Sequence, residues 1–303
     1  MEIGVSTASL FKRKFNEDAL LTLNEIDSKV CEIFLCSYQE YTEDFAKLLL
    51  ERKGNLQIHS IHTLNTHFEP QLFGASPRAV EDAYKIMESC LKTANILGAK
   101  NYTLHGIARF KKDLKYNNYS VIGPKMQKLK EFCESFNVNL CLENVEWAYY
   151  NHVGFYSSIL PYCKGLKTCL DIKQARISND SYADYIKEMG SSIETVHLSD
   201  YNNLGKMCLP GKGEFDFCDL FKRLKDVGFN GNMNGMPYGG YAPQGGFAPM
   251  GGGYAPQGGY APQGGYAPQQ AVPAGETMFC RECGSRIPKD SRFCPNCGAK
   301  TGN

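Results

Sequence analysis

Seven short apolar runs alternate with seven amphipathic segments over the first 231 or so residues, and no other feature constrains the fold as tightly. The strand-like runs are EIGVST (2–7), CEIFLC (31–36), LQIHSIHT (56–63), NYTLHGI (101–107), NLCLENV (139–145), KTCLDI (167–172) and ETVHLSD (194–200). The stretches 17–25, 41–53, 77–97, 119–136, 157–163, 181–189 and 216–227 carry apolar residues at three-four spacing, the helical period. One helix is punctuated at both ends, with Ser76 as N-cap, Pro77 in the first turn and Gly98 just past the last residue. Strict alternation implies a parallel sheet. The runs lie about 25 to 40 residues apart, the spacing of a closed β-α barrel, which needs eight strands. The expected architecture is therefore an α/β chain with a (β/α)8-type barrel that stops after its seventh unit.

The segment after Phe229 does not read as a strand. GNMNGM (231–236) is built from poor strand formers, and tandem GGYAPQ-like repeats occupy the chain to about residue 275. Glycine is costly to order and proline blocks ladder hydrogen bonds, so the repeats are expected to form a disordered linker. Without an eighth strand, the first and seventh would each expose an unpaired edge. The abrupt change in composition near residues 230–235 reads either as a fusion or assembly junction or as a genuine protein that has lost catalysis and keeps its pocket for binding. The domains expected are thus 1–231 for the barrel, 232–275 for the linker and 276–303 for a third zone.

That third zone, FCRECGSRIPKDSRFCPNCGAK, sets Cys280, Cys283, Cys294 and Cys297 in two C-x2-C turns. Four thiolates at this spacing suit a tetrahedral structural Zn²⁺, and a segment this short needs such a staple. It resembles the zinc-ribbon tails of many bacterial proteins, whose partners vary, so an unknown protein is the partner this resemblance implies. The other nine cysteines have no ligand spacing and read as core or surface thiols.

Of the 303 residues, 33 are basic and 32 acidic, giving a net charge of +1. That balance offers no footprint for nucleic acid or an acidic membrane surface. No stretch approaches a membrane span, and the N-terminal residues lack the apolar core of a signal peptide, so the expected location is the cytoplasm.

Most strand-like runs end in a polar residue that is expensive to bury. His62, His105, Glu143, Asp171, His197 and Asp200 would all meet at the C-terminal rim, where barrels of this type build their sites. Such a set suits Zn²⁺, Mn²⁺, Co²⁺ or Mg²⁺. Glu143 and Asp171 follow apolar runs directly, so each carboxylate must be paired, hydrogen-bonded or metal-bound. His59 alternates to the other side of its strand from His62 and reads as a satisfied polar residue. His67 and His152 fall in loops.

SIHTLNTHFEPQLF, YTLHG, LCLENV, CLDIKQA and VHLSD…LPGKGEFDF together resemble the xylose-isomerase-like TIM-barrel superfamily, and within it the bacterial sugar phosphate isomerases and epimerases. The resemblance covers residues 1 to about 231. It implies a divalent metal held by Glu143, Asp171 and His197, with a further Glu on strand eight. It places His62 and His105 in the pocket, as catalytic or substrate-binding groups, beside Asp200. Gln174 stands where many relatives carry His. The implied reaction is isomerisation or epimerisation of a sugar or sugar phosphate through a cis-enediolate. In it two glutamates exchange the proton on opposite faces. Glu143 matches one of them. The other is absent, since no Asp or Glu lies between Asp226 and Glu276. An inert barrel carrying a zinc-ribbon interaction module is the alternative. The phosphodiesterase chemistry of the superfamily's AP-endonuclease branch fits less well, because Gln174 and CLPGKG (208–213) lack the extra ligands it requires.

Overall fold

The computed structural model describes residues 2–64, 67–108 and 118–235, and the backbone of two short strands, Thr277–Phe279 and Arg286–Pro288, which pair antiparallel. The expected linker from 236 onward and the four ribbon cysteines lie outside the described residues. The chain divides into two units, Met1–Gln244 and Gly245–Asn303.

The first unit is a closed parallel barrel. Its strands are β1 (Ile3–Ser6), β2 (Val30–Leu35), β3 (Gln57–Thr63), β4 (Asn101–Leu104), β5 (Asn139–Glu143), β6 (Lys167–Asp171), β7 (Ile193–Leu198) and a closing strand, Asn232–Gly235. Around them run α1 (Asn16–Glu25), α2 (Glu43–Arg52), α3 (Glu69–Leu72), α4 (Pro77–Leu97), α5 (Tyr119–Glu134), α6 (Phe155–Ile159), α7 (Ile172–Ile177), α8 (Tyr182–Met189) and α9 (Phe217–Asp226). The short α3 and α7 are elements that periodicity does not reveal, because helices of four and six residues are too brief to show a 3.6-residue repeat.

Local chemistry accounts for the ends of several helices. Thr42 accepts from Phe45 N at 3.3 Å to cap α2, and Asp216 accepts from Asp219 N at 2.9 Å to cap α9. In α4, Pro77 opens the helix and Gly98 closes it in the left-handed region at φ +75°. Ser76 occupies the N-cap position there without a side-chain cap bond.

The expectation that the eighth strand is missing is corrected. Asn232–Gly235 pairs with β1 (Ile3↔Met233, Gly4↔Asn234, Val5↔Gly235) and with β7 (Asn232↔Thr195 to Gly235↔Leu198). Met233 N donates to Glu2 O and Glu2 N donates to the Asn232 side chain, both at 3.0 Å. Propensity fails here because a slot between two strands offers backbone hydrogen bonds on both sides to any residue that fits. Small size helps the fit: a Cβ on Gly231 would lie 1.9 Å from Glu194 O, and one on Gly4 2.2 Å from Val30 O. The barrel therefore extends past residue 231, and Met233, 2% exposed, packs into the apolar layer under the helices.

The barrel interior is polar. A bulge between β2 and β3 pairs Cys31 with Ile58 but Glu32 with Ser60, leaving His59 as the extra residue. Contrary to simple alternation, His59 faces inward at the N-terminal end of the barrel. There its ring nitrogens lie 3.1 Å from Glu194 O, and 3.3 Å from the amides of Asn101 and Asn232.

Candidate metal centre

Parallel strands deliver their C-terminal ends to one rim, and the register sets Asp171 beside His197 and Glu143 beside Cys169. Glu143, Asp171 and His197 are each 2% exposed or less. Nδ1 of His197 lies 3.1 Å from Glu143 Oε1 and 3.7 Å from Asp171 Oδ2. The three residues implied as metal ligands thus converge on a single ring nitrogen. Donors bound at about 2.0–2.2 Å to one ion stand roughly 3–3.6 Å apart, a spacing that the Glu143–His197 pair meets and the Asp171–His197 pair slightly exceeds.

A second group adjoins it. His62 Nε2 and His105 Nε2 are 2.8 Å apart, and each is 3.7 Å from Glu143 Oε2. That oxygen is buried without a hydrogen bond. Three sets of metal-compatible atoms lie close enough to share an ion among the described residues: His62, His105 and Glu143; Glu143, Cys169 and His197; and Glu32, His62 and His197. Cys169 sits one residue pair below Asp171 on the same inward face of β6, a place that scattered cysteine spacing does not betray.

Two carboxylates in the site escape sequence reading. Glu32, inward on β2 and fully buried, has both oxygens 3.1 Å from His197 Nε2, and Oε1 3.5 Å from His62 Nδ1. Glu69, on α3 and fully buried, accepts from Tyr102 Oη at 2.9 Å, Thr63 Oγ1 at 3.1 Å and His105 N at 3.1 Å, with Oε2 3.4 Å from His105 Nδ1. The signal for Glu32 is present in CEIFLC, a charge inside an apolar run. Glu69 carries none, because its role depends on a one-turn helix.

The remaining residues singled out in the sequence have varied places. Gln174 Oε1 accepts from Glu146 N at 3.1 Å, while its backbone N donates to Asp171 Oδ1 at 2.8 Å. Asp200 is buried, and its carboxylate accepts from the backbone N–H groups of Tyr201, Gly211, Gly213 and Phe215 at 2.7–3.1 Å. It thereby ties down the loop after β7, which includes the Asp200–Tyr201/Met207–Cys208 hairpin. His67 packs on Tyr38 and meets Tyr41 Oη at 2.9 Å; His152 Nδ1 meets Asn151 Oδ1 at 2.7 Å. On the closing strand, the residue paired with His197 is Asn234, buried, with its Oδ1 unpartnered. No carboxylate stands there.

Electrostatics follow from burial and neighbours. Burial would lower the His197 pKa, but Cys169, Glu32, Glu143 and Asp171 outweigh it and hold the ring well above the usual histidine range. Burial would likewise raise Glu32, yet His197 and His62 keep it well below the ordinary carboxylate value. Asp171 is pushed up by burial but drawn down to about 2 by Lys173 and His197. Lys173 is the one buried lysine or arginine among the described residues. Phe34 packs edge-on against His62 and Trp147 lies over His105, forming the apolar walls of the mouth.

Solved structures with the same fold include the D-psicose 3-epimerase of Clostridium cellulolyticum with D-tagatose. It is 16% identical, with 78% of this chain and 85% of that one covered and a TM-score of 0.65. A sugar phosphate isomerase/epimerase from Parabacteroides distasonis is 14% identical, covering 78% and 87%, with a TM-score of 0.58. An IOLI protein with a zinc atom is 16% identical, covering 78% and 89%, with a TM-score of 0.62. No curated protein matches by sequence. A zinc-ribbon family model matches residues 279–301. Residues 24–234 match the family model described as xylose isomerase-like TIM barrel, and the chain belongs to that family.

Proposed function

We propose that the barrel is a metal-dependent isomerase or epimerase of a sugar or sugar phosphate, acting through a cis-enediolate. One observation carries the reading. His197 Nδ1 faces two carboxylates while its Nε2 faces a third, so the ring is surrounded by negative charge on both edges. Such an arrangement is stable only with a cation, either a second ring proton or a metal, at Nδ1. Glu143, Asp171 and His197 would hold Mn²⁺, Co²⁺, Mg²⁺ or Zn²⁺. A bound divalent ion supplies the Lewis acidity that makes a proton next to a carbonyl removable.

The chain's own groups do the rest. Glu143 keeps Oε2 free of hydrogen bonds, placed to take that proton as general base. With Asn234 on the closing strand, the second proton-handling role falls to His62 and His105, whose Nε2 atoms meet across the mouth. Gln174 and Asp200 shape the pocket edge, the first through its contact with the Glu146 backbone and the second by ordering the loop after β7. Phe34 and Trp147 exclude water. The nine cysteines among the described residues are unpaired, in keeping with a cytoplasmic, reducing setting. Cys280, Cys283, Cys294 and Cys297 would hold structural zinc in the ribbon, which serves to bind another protein.

A second reading, a barrel that binds a sugar without turning it over, draws on the missing carboxylate at Asn234. Solvent deuterium exchange into a panel of ketoses and their phosphates, followed by NMR, separates the two. The enzyme reading expects metal-dependent exchange next to the carbonyl of at least one sugar, lost in Glu143→Gln. Binding of a sugar with no exchange in any member of the panel would establish the inert barrel.

A further inference from the structure

We infer that Glu32 is a positioning residue of the metal centre: from outside the coordination shell it fixes which nitrogen of His197, and of His62, is presented to a cation. The inference rests on the reading that the centre takes a metal.

A neutral imidazole has one N–H and one lone pair, and the partner of one nitrogen decides which is which. For His197, Nδ1 faces Glu143 Oε1 at 3.1 Å, and a metal taking Nδ1 displaces the proton held there. Both oxygens of Glu32 lie 3.1 Å from Nε2, so with a metal at Nδ1 the remaining proton stays on Nε2 and is donated there. The lone pair is then on Nδ1, aimed between Glu143 and Asp171. For His62 the same carboxylate approaches Nδ1 at 3.5 Å, which leaves Nε2 to face Glu143 Oε2. One side chain thereby sets two rings that serve the centre from opposite sides of the barrel, on β3 and β7. Their planes are nearly parallel, 23° apart, with centroids at 5.5 Å.

Glu32 is itself held. Ser60 Oγ donates to Oε2 at 2.7 Å, and Thr103 Oγ1 lies 3.4 Å from the same oxygen. These hydroxyls come from β3 and β4, so the carboxylate is gripped by the barrel wall rather than by a loop. A fully buried carboxylate on a central strand is costly to keep, and here its interactions are to ring nitrogens and hydroxyls alone. Carboxylate–histidine–metal relays work in this way, and losing the carboxylate typically weakens metal binding 10–100-fold.

Two measurements on the full chain test this. Mn²⁺ is titrated by electron paramagnetic resonance, because this hard ion avoids the cysteine ribbon. Glu32→Gln, which keeps the shape and removes the charge, is expected to raise the Mn²⁺ dissociation constant about 10–100-fold with thermal unfolding still cooperative. Independently of any variant, ¹⁵N-histidine NMR of the Zn²⁺-loaded wild type is expected to show His197 protonated at Nε2 and ligated through Nδ1. Ligation through Nε2 overturns the inference even if Glu32→Gln fails to fold. An unchanged Mn²⁺ constant in a folded Glu32→Gln protein overturns it too, while leaving the metal reading intact. Absence of Mn²⁺ binding to the wild type would remove both.

Discussion

Replacing Gly231 with alanine tests whether the closing strand sits in the barrel wall. The added Cβ would lie 1.9 Å from Glu194 O, 2.6 Å from Glu194 C and 2.7 Å from Phe229 Cε2. A carbon–oxygen contact normally stands at about 3.3 Å, so the β7 backbone would have to give way by more than an ångström. Both neighbouring strands are locked in ladders, and overpacking of this kind costs about 1–3 kcal/mol. The removal of glycine from the unfolded chain returns about 0.4–1 kcal/mol. The net expectation is a loss of about 1.3 kcal/mol. With a urea slope of about 3 kcal/mol per molar, the midpoint falls by about 0.4 M. Gly228 is the control: at φ +77° with no atom within 4 Å of its Cβ, its alanine variant carries only the left-handed backbone penalty of about 1–2 kcal/mol. A crowded closing strand and a loose segment predict opposite signs at residue 231. If Gly231→Ala leaves the urea midpoint unchanged or raises it, Asn232–Gly235 does not lie between β1 and β7, and the barrel stands open.

Three further outcomes are expected. Because the His197 pKa is raised, the metal-free ring is protonated at neutral pH and a cation must displace that proton. Mn²⁺ affinity should therefore climb about tenfold per pH unit below that pKa and level off above it, and a flat profile by paramagnetic titration would contradict this. His197→Ala should abolish Mn²⁺ binding altogether, and retention of wild-type metal content would exclude the residue as a ligand. Asp200→Asn should cost about 2–3 kcal/mol at pH 7, since the amide cannot accept all four backbone N–H groups. The Asp200 carboxyl is lowered by those bonds although burial opposes them. Its contribution is thus present above the unfolded value of about 3.9 and is lost as pH falls through the folded pKa, so variant and wild type should converge in acid urea melts.

Much of this protein is legible without coordinates. Two periodicities, two for strands and 3.6 for helices, are local properties, and so the seven β-α units and the barrel class follow from apolar spacing. Glu143, Asp171 and His197 are readable because each ends or interrupts an apolar run, and a barrel sends strand ends to one rim. The features that the chain conceals depend on contacts between residues far apart in sequence. Asn232–Gly235 has no strand propensity and becomes a strand only because β1 and β7 leave a slot of its width. Glu69 acquires meaning from a single turn of helix that sets it against His105. The bulge that turns His59 inward, and the approach of Glu32 to a histidine 165 residues away, are likewise decided by packing. Local pattern specified which elements form; register and closure, which are properties of the assembled barrel, decided which side chains meet.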